Sequence, residues 1–305
     1  MSKVGVCEWC MPVWGPSAVD FAADCGFEGV QITDLRGAFR GFPMNNRRIQ
    51  EGYLEAVERT GIELGSMHLM AMSHSTGHVS PQHSPKNELA RLSLAKGIEC
   101  CRALGIDVIN ISGGDATAYK PEPDPELWNN LITFLTHAVK VCADNGITVA
   151  YETSMDFSRL RELLEKVPGL QLSYDIRNCN LIGSGFQIPL NAFERIDHIH
   201  VCDDSPDEKT GTLEPALCGT GTVGKLAEGI ALLKERGYDG WYYSESKYGN
   251  FTLPEDFIVG SYGARFFHEL TIEDKLRPYS FGSTDITEAC RMDCAAIKKL
   301  VACPD

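Results

Sequence analysis

The chain has 305 residues, 43% of them hydrophobic and 23% charged, which is the balance of a globular protein able to bury a substantial core. Its 28 basic and 42 acidic residues give a net charge of -14, and a surface that negative repels phosphate backbones, which argues against a nucleic-acid partner. No segment approaches the roughly 18 consecutive apolar residues that would cross a membrane, so no membrane association is expected.

Short apolar segments rich in β-formers alternate along the chain with longer segments of helical period, which predicts repeated β-then-α units. The predicted strands are Val4–Glu8, Gly29–Thr33, Glu63–His68, Val108–Ser112, Thr148–Glu152, Leu170–Asp175, His198–Cys202 and Trp241–Glu245. The predicted helices are Ser17–Cys25, Arg47–Thr60, Asn87–Leu104, Pro125–Asn145, Phe157–Lys166, Leu226–Arg236 and Pro254–Leu270, with a short element near Pro189–Arg195. Glycines such as Gly61 and Gly105 follow several of these helices, where a helix commonly ends in the left-handed conformation.

Eight such units predict an α/β protein with a closed parallel barrel, a (β/α)8 TIM barrel. A doubly wound open sheet is the alternative, but no Gly-rich dinucleotide motif follows the first strand. We expect residues 1–270 to form the barrel as a catalytic domain. Residues 271–305 are then a C-terminal extension, with an amphipathic helix at Ile286–Val301 that packs on the barrel or on a partner subunit.

The N-terminus leads directly into the first strand without the apolar region of a signal peptide, which predicts a cytoplasmic protein. The 12 cysteines are scattered, and many lie in apolar segments. Without a secretion signal, they are expected to be reduced and buried rather than paired in disulfides. Cys7 and Cys10 form one CxxC pair with no second pair behind it, so we expect them to be structural.

Polar side chains end four of the predicted strands, at the edge where the active site of such a barrel lies. They are Glu152, Asp175, His200 and Glu245. The three carboxylates would repel one another there, and the polar groups would be buried without partners, unless a cation lay among them. This donor set predicts one divalent metal ion, Mn²⁺ above Mg²⁺, Co²⁺ or Zn²⁺. A salt bridge or a helix cap is the alternative role for any single acid, and His198 is a candidate core histidine.

These residues carry a resemblance to a known family. Tyr151-Glu152-Thr153, Tyr174-Asp175, His198-x-His200-x-x-Asp203, Gly219-x-Gly221 and Ser244-Glu245 follow the order seen in the xylose isomerase-like TIM barrels, the sugar phosphate isomerase/epimerase group. The sequence resembles this family over roughly residues 3–270. The resemblance implies that Glu152, Asp175, His200 and Glu245 bind the metal. It also implies that Glu152 and Glu245 are the catalytic acid and base of an epimerase.

The sequence departs from the family at two places. Endonuclease IV-like members have a histidine three residues after the strand-six aspartate and another at the end of strand four. This chain has Asn178 and the segment Asn110–Gly113 there, so a trinuclear zinc site is not expected. Sugar epimerases of the group often have an arginine after strand seven, whereas residues 203–224 contain only Lys209 as a cation.

Three further residues are candidates for binding substrate. His68 ends the third strand, where it would contact either the substrate or the ligands, or else be structural. Trp9 follows the first strand and would either stack on a sugar ring or close the barrel. Lys247 lies just past Glu245, within reach of a substrate hydroxyl or carboxylate. The histidines of Ala71–Pro85 indicate either a lid over the site or a solvated loop.

These observations lead to a function hypothesis with two alternatives. The first is a metal-dependent isomerase or epimerase that moves a proton through an enediolate of a sugar or keto-sugar. The second keeps the metal and the enediolate but eliminates a β-substituent, as a lyase or dehydratase would. The third is a sugar- or metal-binding barrel without catalysis. In each case the partner is a small-molecule carbohydrate, and a homo-oligomer is expected from the resemblance.

Overall fold

The computed structural model describes residues 2–113, 124–183, 185–206, 211, 213–246 and 286–302. Eight parallel strands close into a barrel, which confirms the predicted fold over the open sheet. Around the barrel the strands follow the order β1-β10-β7-β6-β5-β4-β3-β2. The strands are β1 Lys3–Cys7, β2 Gly29–Thr33, β3 Glu63–His68, β4 Val108–Ser112, β5 Thr148–Glu152, β6 Gln171–Asp175, β7 Ile196–Val201, β8 Asp203–Pro206, β9 Leu213–Ala216 and β10 Trp241–Ser244.

Helices surround the barrel and cover its outer face. They are α1 Pro16–Asp24, α2 Arg47–Thr60, α3 Met70–Ser75, α4 Pro85–Leu104, α5 Pro125–Ala143, α6 Phe157–Lys166, α7 Ile176–Leu181, α8 Gln187–Asn191, α9 Leu226–Glu235 and α10 Ile286–Ala302. Helices α2 and α4 end at Gly61 and Gly105, whose φ angles of 76° and 72° are the left-handed values expected of such caps. None of the helices in the described ranges is long and apolar enough to cross a membrane.

A two-stranded antiparallel sheet, formed by β8 and β9, interrupts the alternation after β7. The sequence analysis did not predict it, because charged residues and Pro206 are unfavourable in a strand. The Asp203 carboxylate accounts for the local order. It accepts hydrogen bonds from the backbone N–H groups of Gly219, Gly221 and Gly224 at 3.0–3.2 Å, and so binds the returning chain to the end of β7.

The inner wall of the barrel changes character along its axis. At the lower end Trp241 and Tyr243 of β10 stack with their ring centroids 5.2 Å apart. Gly5 and Gly29 on β1 and β2 leave room for these rings, since a β-carbon on Gly29 would lie 2.4 Å from Cη2 of Trp241. Above this aromatic floor, formed by Trp241 and Tyr243, the barrel holds the buried polar side chains of Gln31, His198 and His200.

Helix α10 packs against β1, β10 and α9, on the outer wall where the barrel closes. Its Cys290, Cys294 and Ile297 join the main hydrophobic core. The extension therefore contributes to the barrel wall through this helix. The predicted helix Pro254–Leu270 and the predicted boundary at residue 270 lie outside the described residues, and a homo-oligomer stays a prediction.

The cysteines that the structure describes are all buried, and no disulfide joins them, as the composition predicted. Cys7 lies inside the barrel and Cys10 ends the short 3-10 helix that follows β1. Burial raises the pKa of the Cys7 thiol to about 12, so this side chain stays protonated at neutral pH.

Candidate active site

Three of the predicted metal ligands meet at the carboxyl end of the barrel. Glu152 ends β5, His200 lies in β7, and Glu245 follows β10, the strand paired with β7. The His200 Nδ1 atom lies 3.6 Å from Glu152 Oε2 and 3.4 Å from Glu245 Oε2. One ligand atom from each of these three residues falls within 4.8 Å of the others, a spacing that can hold a metal ion.

Asp175, the fourth predicted ligand, lies beside this group. A carboxylate oxygen of Asp175 is within 4.8 Å of one Glu245 oxygen and of the Cys202 sulfur. Asp175 also caps α7 by accepting a hydrogen bond from the backbone N–H of Asn178 at 2.8 Å. Burial, together with the negative charges of Glu245 and Glu152, raises the pKa of Asp175 to about 8. The carboxylates at this mouth therefore repel one another in the absence of a cation.

The electrostatic interactions around His200 also favour a cation at the mouth of the barrel. Burial alone would raise the pKa of Glu152, but positive charge on His200 lowers it below its usual value. Burial alone would lower the pKa of His200, and its contacts with Cys7, Glu152 and Glu245 reverse this and raise it. The Nδ1 atom of His200 is nevertheless buried without a hydrogen-bond partner. A buried ring nitrogen facing two carboxylates suits a divalent cation between them, so the donor set fits the predicted metal.

An aromatic wall completes one side of the site. The indole Nε1 of Trp9 donates a hydrogen bond of 3.1 Å to Glu245 Oε1, which leaves Oε2 directed at His200. The Trp9 ring lies 4.7 Å from the ring of His68 and 5.8 Å from that of His200, measured between centroids. Both predicted substrate contacts thus border the proposed ligands. Lys247, the third, lies outside the described residues.

A cation that the sequence analysis missed lies next to the site. Arg177 follows Asp175 by two residues and forms a buried ion pair with Asp204 of β8 through its Nε and Nη2 atoms. Its Nη1 donates to Asn178 Oδ1 at 2.7 Å. The pairing depends on the hairpin that follows β7, which the sequence did not indicate. The sequence also did not indicate that Cys202, one of the cysteines expected to be buried, lies close to Asp175.

The hydrogen bonds of Gly219 and Gly221 explain the Gly219-x-Gly221 motif of the sequence. Their N–H groups bind the Asp203 carboxylate, and a β-carbon on Gly221 would lie 2.3 Å from its carboxyl carbon. These glycines therefore bind an internal carboxylate. The motif fixes the loop at the mouth and is not a phosphate cradle.

Helix α10 reaches the site through Asp293. This buried carboxylate accepts hydrogen bonds from the backbone N–H of Cys218 at 2.8 Å and from the hydroxyl of Ser246. A third contact joins it to Ser244 Oγ at 3.4 Å. The two serines flank Glu245, so the C-terminal helix holds the segment that carries this predicted ligand. An acidic residue in an amphipathic helix is a signal that could have drawn attention to Asp293. Its role could not be inferred, because its partners are 47–75 residues away in sequence.

Comparisons with known proteins agree with this architecture. A sequence profile described as the xylose isomerase-like TIM barrel matches residues 19–261. No curated protein matches the sequence significantly.

Solved structures resemble the chain over nearly its whole length. A D-allulose 3-epimerase from Methylomonas sp. is 19% identical with a TM-score of 0.70, and the match covers 98% of each chain. An IolI protein solved with a zinc atom is 14% identical with a TM-score of 0.67, again over 98% of each chain. A probable 3-DHS dehydratase, AsbF from Bacillus anthracis, is 14% identical with a TM-score of 0.62, over 88% of this chain and 99% of that one.

These structural likenesses are all below 25% identity and show the fold. The profile match extends over most of the barrel, from α1 to beyond β10, and includes all four residues predicted to bind the metal. The chain therefore belongs to the xylose isomerase-like TIM barrel family.

Proposed function

We propose that this protein is a divalent-metal-dependent isomerase or epimerase of a sugar or keto-sugar. The observation that carries the proposal is the convergence of Glu152, His200 and Glu245, with the buried Nδ1 of His200 facing both carboxylates. Asp175 would complete the ligand set. Mn²⁺ is the proposed ion, and Mg²⁺, Co²⁺ and Zn²⁺ suit the same donors. The fold neighbour solved with zinc supports a divalent ion of this kind.

When bound, such a cation would polarise the carbonyl oxygen of the substrate and so acidify the adjacent C–H bond. One of the two glutamates would then accept that proton on a carboxylate oxygen, and the electron pair of the broken bond would form the double bond of an enediolate. The other glutamate would return a proton. Return to the opposite face of the same carbon gives an epimer, and return to the neighbouring carbon exchanges an aldose for a ketose.

The surrounding side chains would orient these two acids. The Trp9 indole holds one oxygen of Glu245, and Asp293 holds the serines on either side of it. The rings of Trp9 and His68, tilted by 36° to each other, offer an aromatic wall against which a sugar ring would pack. A small-molecule carbohydrate is the substrate class that fits this wall and the carboxylates beyond it.

A lyase or dehydratase is the second candidate. Residues 203–224, which follow β7, contain no arginine. The nearby Arg177 is already paired with Asp204. A substrate of this protein would therefore be held differently from that of a simple monosaccharide epimerase. The same two glutamates would serve elimination, with one removing the proton and the other protonating a leaving group at the β-carbon.

The proposal predicts a metal content that depends on both glutamates. We expect purified wild-type protein to carry about one equivalent of a divalent ion by elemental analysis, and Glu152→Gln and Glu245→Gln to carry much less, since each loses a charged ligand. Glu165→Gln is the matched control, because Glu165 is exposed on α6. Wild-type protein that binds none of the four ions would overturn the proposed metal centre.

The same proteins can then be tested for chemistry in D₂O with a panel of ketoses and keto-inositols. Deuterium at the carbon next to the carbonyl, together with an epimer or isomer, would support the first candidate. Loss of water or of a larger group would support the second. Metal binding without deuterium uptake or elimination in any member of the panel would favour a barrel that binds without catalysis.

A further inference from the structure

A buried carboxamide connects the two histidines of β7. Gln31 lies on β2, fully buried inside the barrel, with its Cα paired to that of Cys7 on β1. Its Oε1 atom is 2.7 Å from Nε2 of His200. Its Nε2 atom is 3.0 Å from Nε2 of His198. One side chain thus contacts both imidazoles, one of which is a proposed metal ligand.

The chain of hydrogen bonds continues to a carboxylate. Nδ1 of His198 lies 2.7 Å from Oδ1 of Asp197, the residue before it in β7. The Asp197 side chain is 22% exposed, so its charge keeps part of its hydration. Asp197, His198, Gln31 and His200 therefore form one continuous series, which we call the β7 hydrogen-bond chain.

The direction of every bond in this chain follows from the carboxylate. An ionised carboxylate can only accept, so the hydrogen of the His198 ring lies on Nδ1 and its Nε2 must accept. The Gln31 amide then donates to His198, which turns its Oε1 toward His200. A carbonyl oxygen cannot donate, so His200 must carry a hydrogen on Nε2. The Cys7 thiol, 3.4 Å from the same Oε1, donates to it and favours the same amide orientation.

The hydrogen on Nε2 of His200 determines the state of its other ring nitrogen, Nδ1. With its hydrogen on Nε2, a neutral His200 has a bare Nδ1, and this is the atom that faces Glu152 and Glu245. The opposite amide orientation would place the hydrogen on Nδ1 and leave no lone pair for a metal. The choice between a ligand and a non-ligand therefore depends on groups that do not touch the ion.

We propose that Asp197, His198 and Gln31 are positioning residues that select the tautomer of His200 able to bind a divalent metal through Nδ1. This inference rests on the metal centre of the proposed function and names the residues that prepare it. Such outer partners of a metal-bound histidine typically change metal affinity by about 10- to 100-fold when they are replaced.

The tautomers can be read directly by NMR of protein labelled with ¹⁵N in its histidine rings. We expect His198 to carry its hydrogen on Nδ1 in the metal-free protein, and His200 to bind through Nδ1 with a hydrogen on Nε2 in the Zn²⁺-loaded protein. In Asp197→Asn, whose amide can either donate or accept, His198 should populate both tautomers. Coordination through Nε2 of His200, or an Nε2 hydrogen on wild-type His198, would overturn the proposal.

Affinity for Mn²⁺ provides the second measurement. Gln31→Met removes both hydrogen bonds at similar volume and should weaken binding by about 10- to 100-fold. Gln31→Glu keeps an acceptor for His200 and should retain more affinity than Gln31→Met. Asp144→Asn is the control for Asp197→Asn, since Asp144 is exposed and pairs with Lys140 in a surface salt bridge.

The two proposals fail in different ways. Wild-type protein that binds Mn²⁺, together with an unchanged affinity in Gln31→Met, would overturn the role of the β7 hydrogen-bond chain and leave the proposed function standing. Wild-type protein that binds none of Mn²⁺, Mg²⁺, Co²⁺ and Zn²⁺ would overturn the proposed function itself, and with it any role for these residues in metal binding.

Discussion

His78 shows how far a single buried side chain can influence the stability of this protein. It lies in a short 3-10 helix at Gly77–Val79, completely buried, with an edge-to-face contact to Phe134 at 6.2 Å between centroids. Neither ring nitrogen has a hydrogen-bond partner. Burial lowers the pKa of His78 to about 4, so folding requires the neutral imidazole.

The sequence indicated a lid or a solvated loop for the segment with His78, and a solvated position is wrong for this residue because its side chain is completely buried. Residues 70–79 form short helices that pack on α4, α5 and β4. A histidine among Ser, Gly and Pro residues indicates a polar loop, and its burial depends on Phe134, which is 56 residues away. His83 of the same segment is exposed, and the side chain of His74 lies outside the described part of the chain.

We expect replacement of His78 to remove one component of the pH dependence of stability. The unfolded chain protonates this histidine near pH 6.5 and the folded chain only near pH 4, so the unfolded state binds more protons between these values. Acidification from pH 7 to pH 5 should therefore cost wild type about 2 kcal/mol more than it costs His78→Leu. The free energy of unfolding, measured with urea at both pH values, checks this difference.

Comparison with the variant is essential because Asp34 acts in the opposite direction. Burial raises the pKa of Asp34 to about 7, above that of the unfolded chain, so this group favours the folded state below pH 3.8 and its contribution falls as the pH rises toward 7. His83→Asn should follow wild type at both pH values. Equal pH dependence in wild type and His78→Leu would contradict the assignment.

At the level of secondary structure, α10 contributes to the site as well as to the core. Asp293 gives this helix direct bonds to the segment after β10 and to the turn at Cys218. Bonds to a buried carboxylate are stronger than those between neutral groups. The position of Glu245 is therefore tied to a helix more than forty residues further along the chain.

Asp293→Asn should destabilise the protein and disturb the site together. The variant keeps the volume but loses the charge, and its amide group can meet the Cys218 and Ser246 donors through only one oxygen. We expect a loss of about 2 kcal/mol in the free energy of unfolding and a lower affinity for Mn²⁺. Met292→Ala, at an exposed position of the same helix, should change neither. A variant with full stability and full affinity would show that α10 has no part in holding Glu245.

The barrel as a whole depends on the fit between its glycines and the aromatic floor. A β-carbon on Gly5 would lie 2.6 Å from the Tyr243 ring, and one on Gly29 would lie 2.4 Å from that of Trp241. Both distances are shorter than van der Waals contact. The glycines on β1 and β2 thus set how deeply the rings of β10 can enter the barrel.

Gly29→Ala should therefore cost about 1–3 kcal/mol through overpacking. In the double variant with Trp241→Leu, the smaller side chain relieves the clash. The double variant should therefore lose less free energy of unfolding than the sum of the losses in the two single variants. Thermal or urea unfolding of the four proteins of this cycle gives the coupling energy, expected to be at least about 0.5 kcal/mol. Strictly additive losses would mean that the barrel accommodates the β-carbon at position 29 independently of the Trp241 ring.

The sequence predicted the barrel well because its signals are local. Helix α2 and strand β5 begin and end where apolar period, glycine caps and strand-end acids indicated. The residues proposed as metal ligands could be picked out for the same reason, since each lies at or near the end of an apolar strand. The roles of Gln31 and Asp293 were not predictable, because the role of a buried amide or acid depends on partners that only folding brings close to it. The hairpin β8–β9 was missed because one buried carboxylate outweighs its poor strand propensity.

The aromatic floor also has a kinetic consequence. Trp241 and Tyr243 fill the barrel below the histidines, so the polar upper part is a well with its opening at the mouth. In the proposed function, an ion among Glu152, His200 and Glu245 would lie beneath a sugar that packs against Trp9, the residue that donates to Glu245. We therefore expect the ion to bind before the sugar and to leave after it. A bound sugar would block the mouth of the barrel and so slow exchange of the ion beneath it.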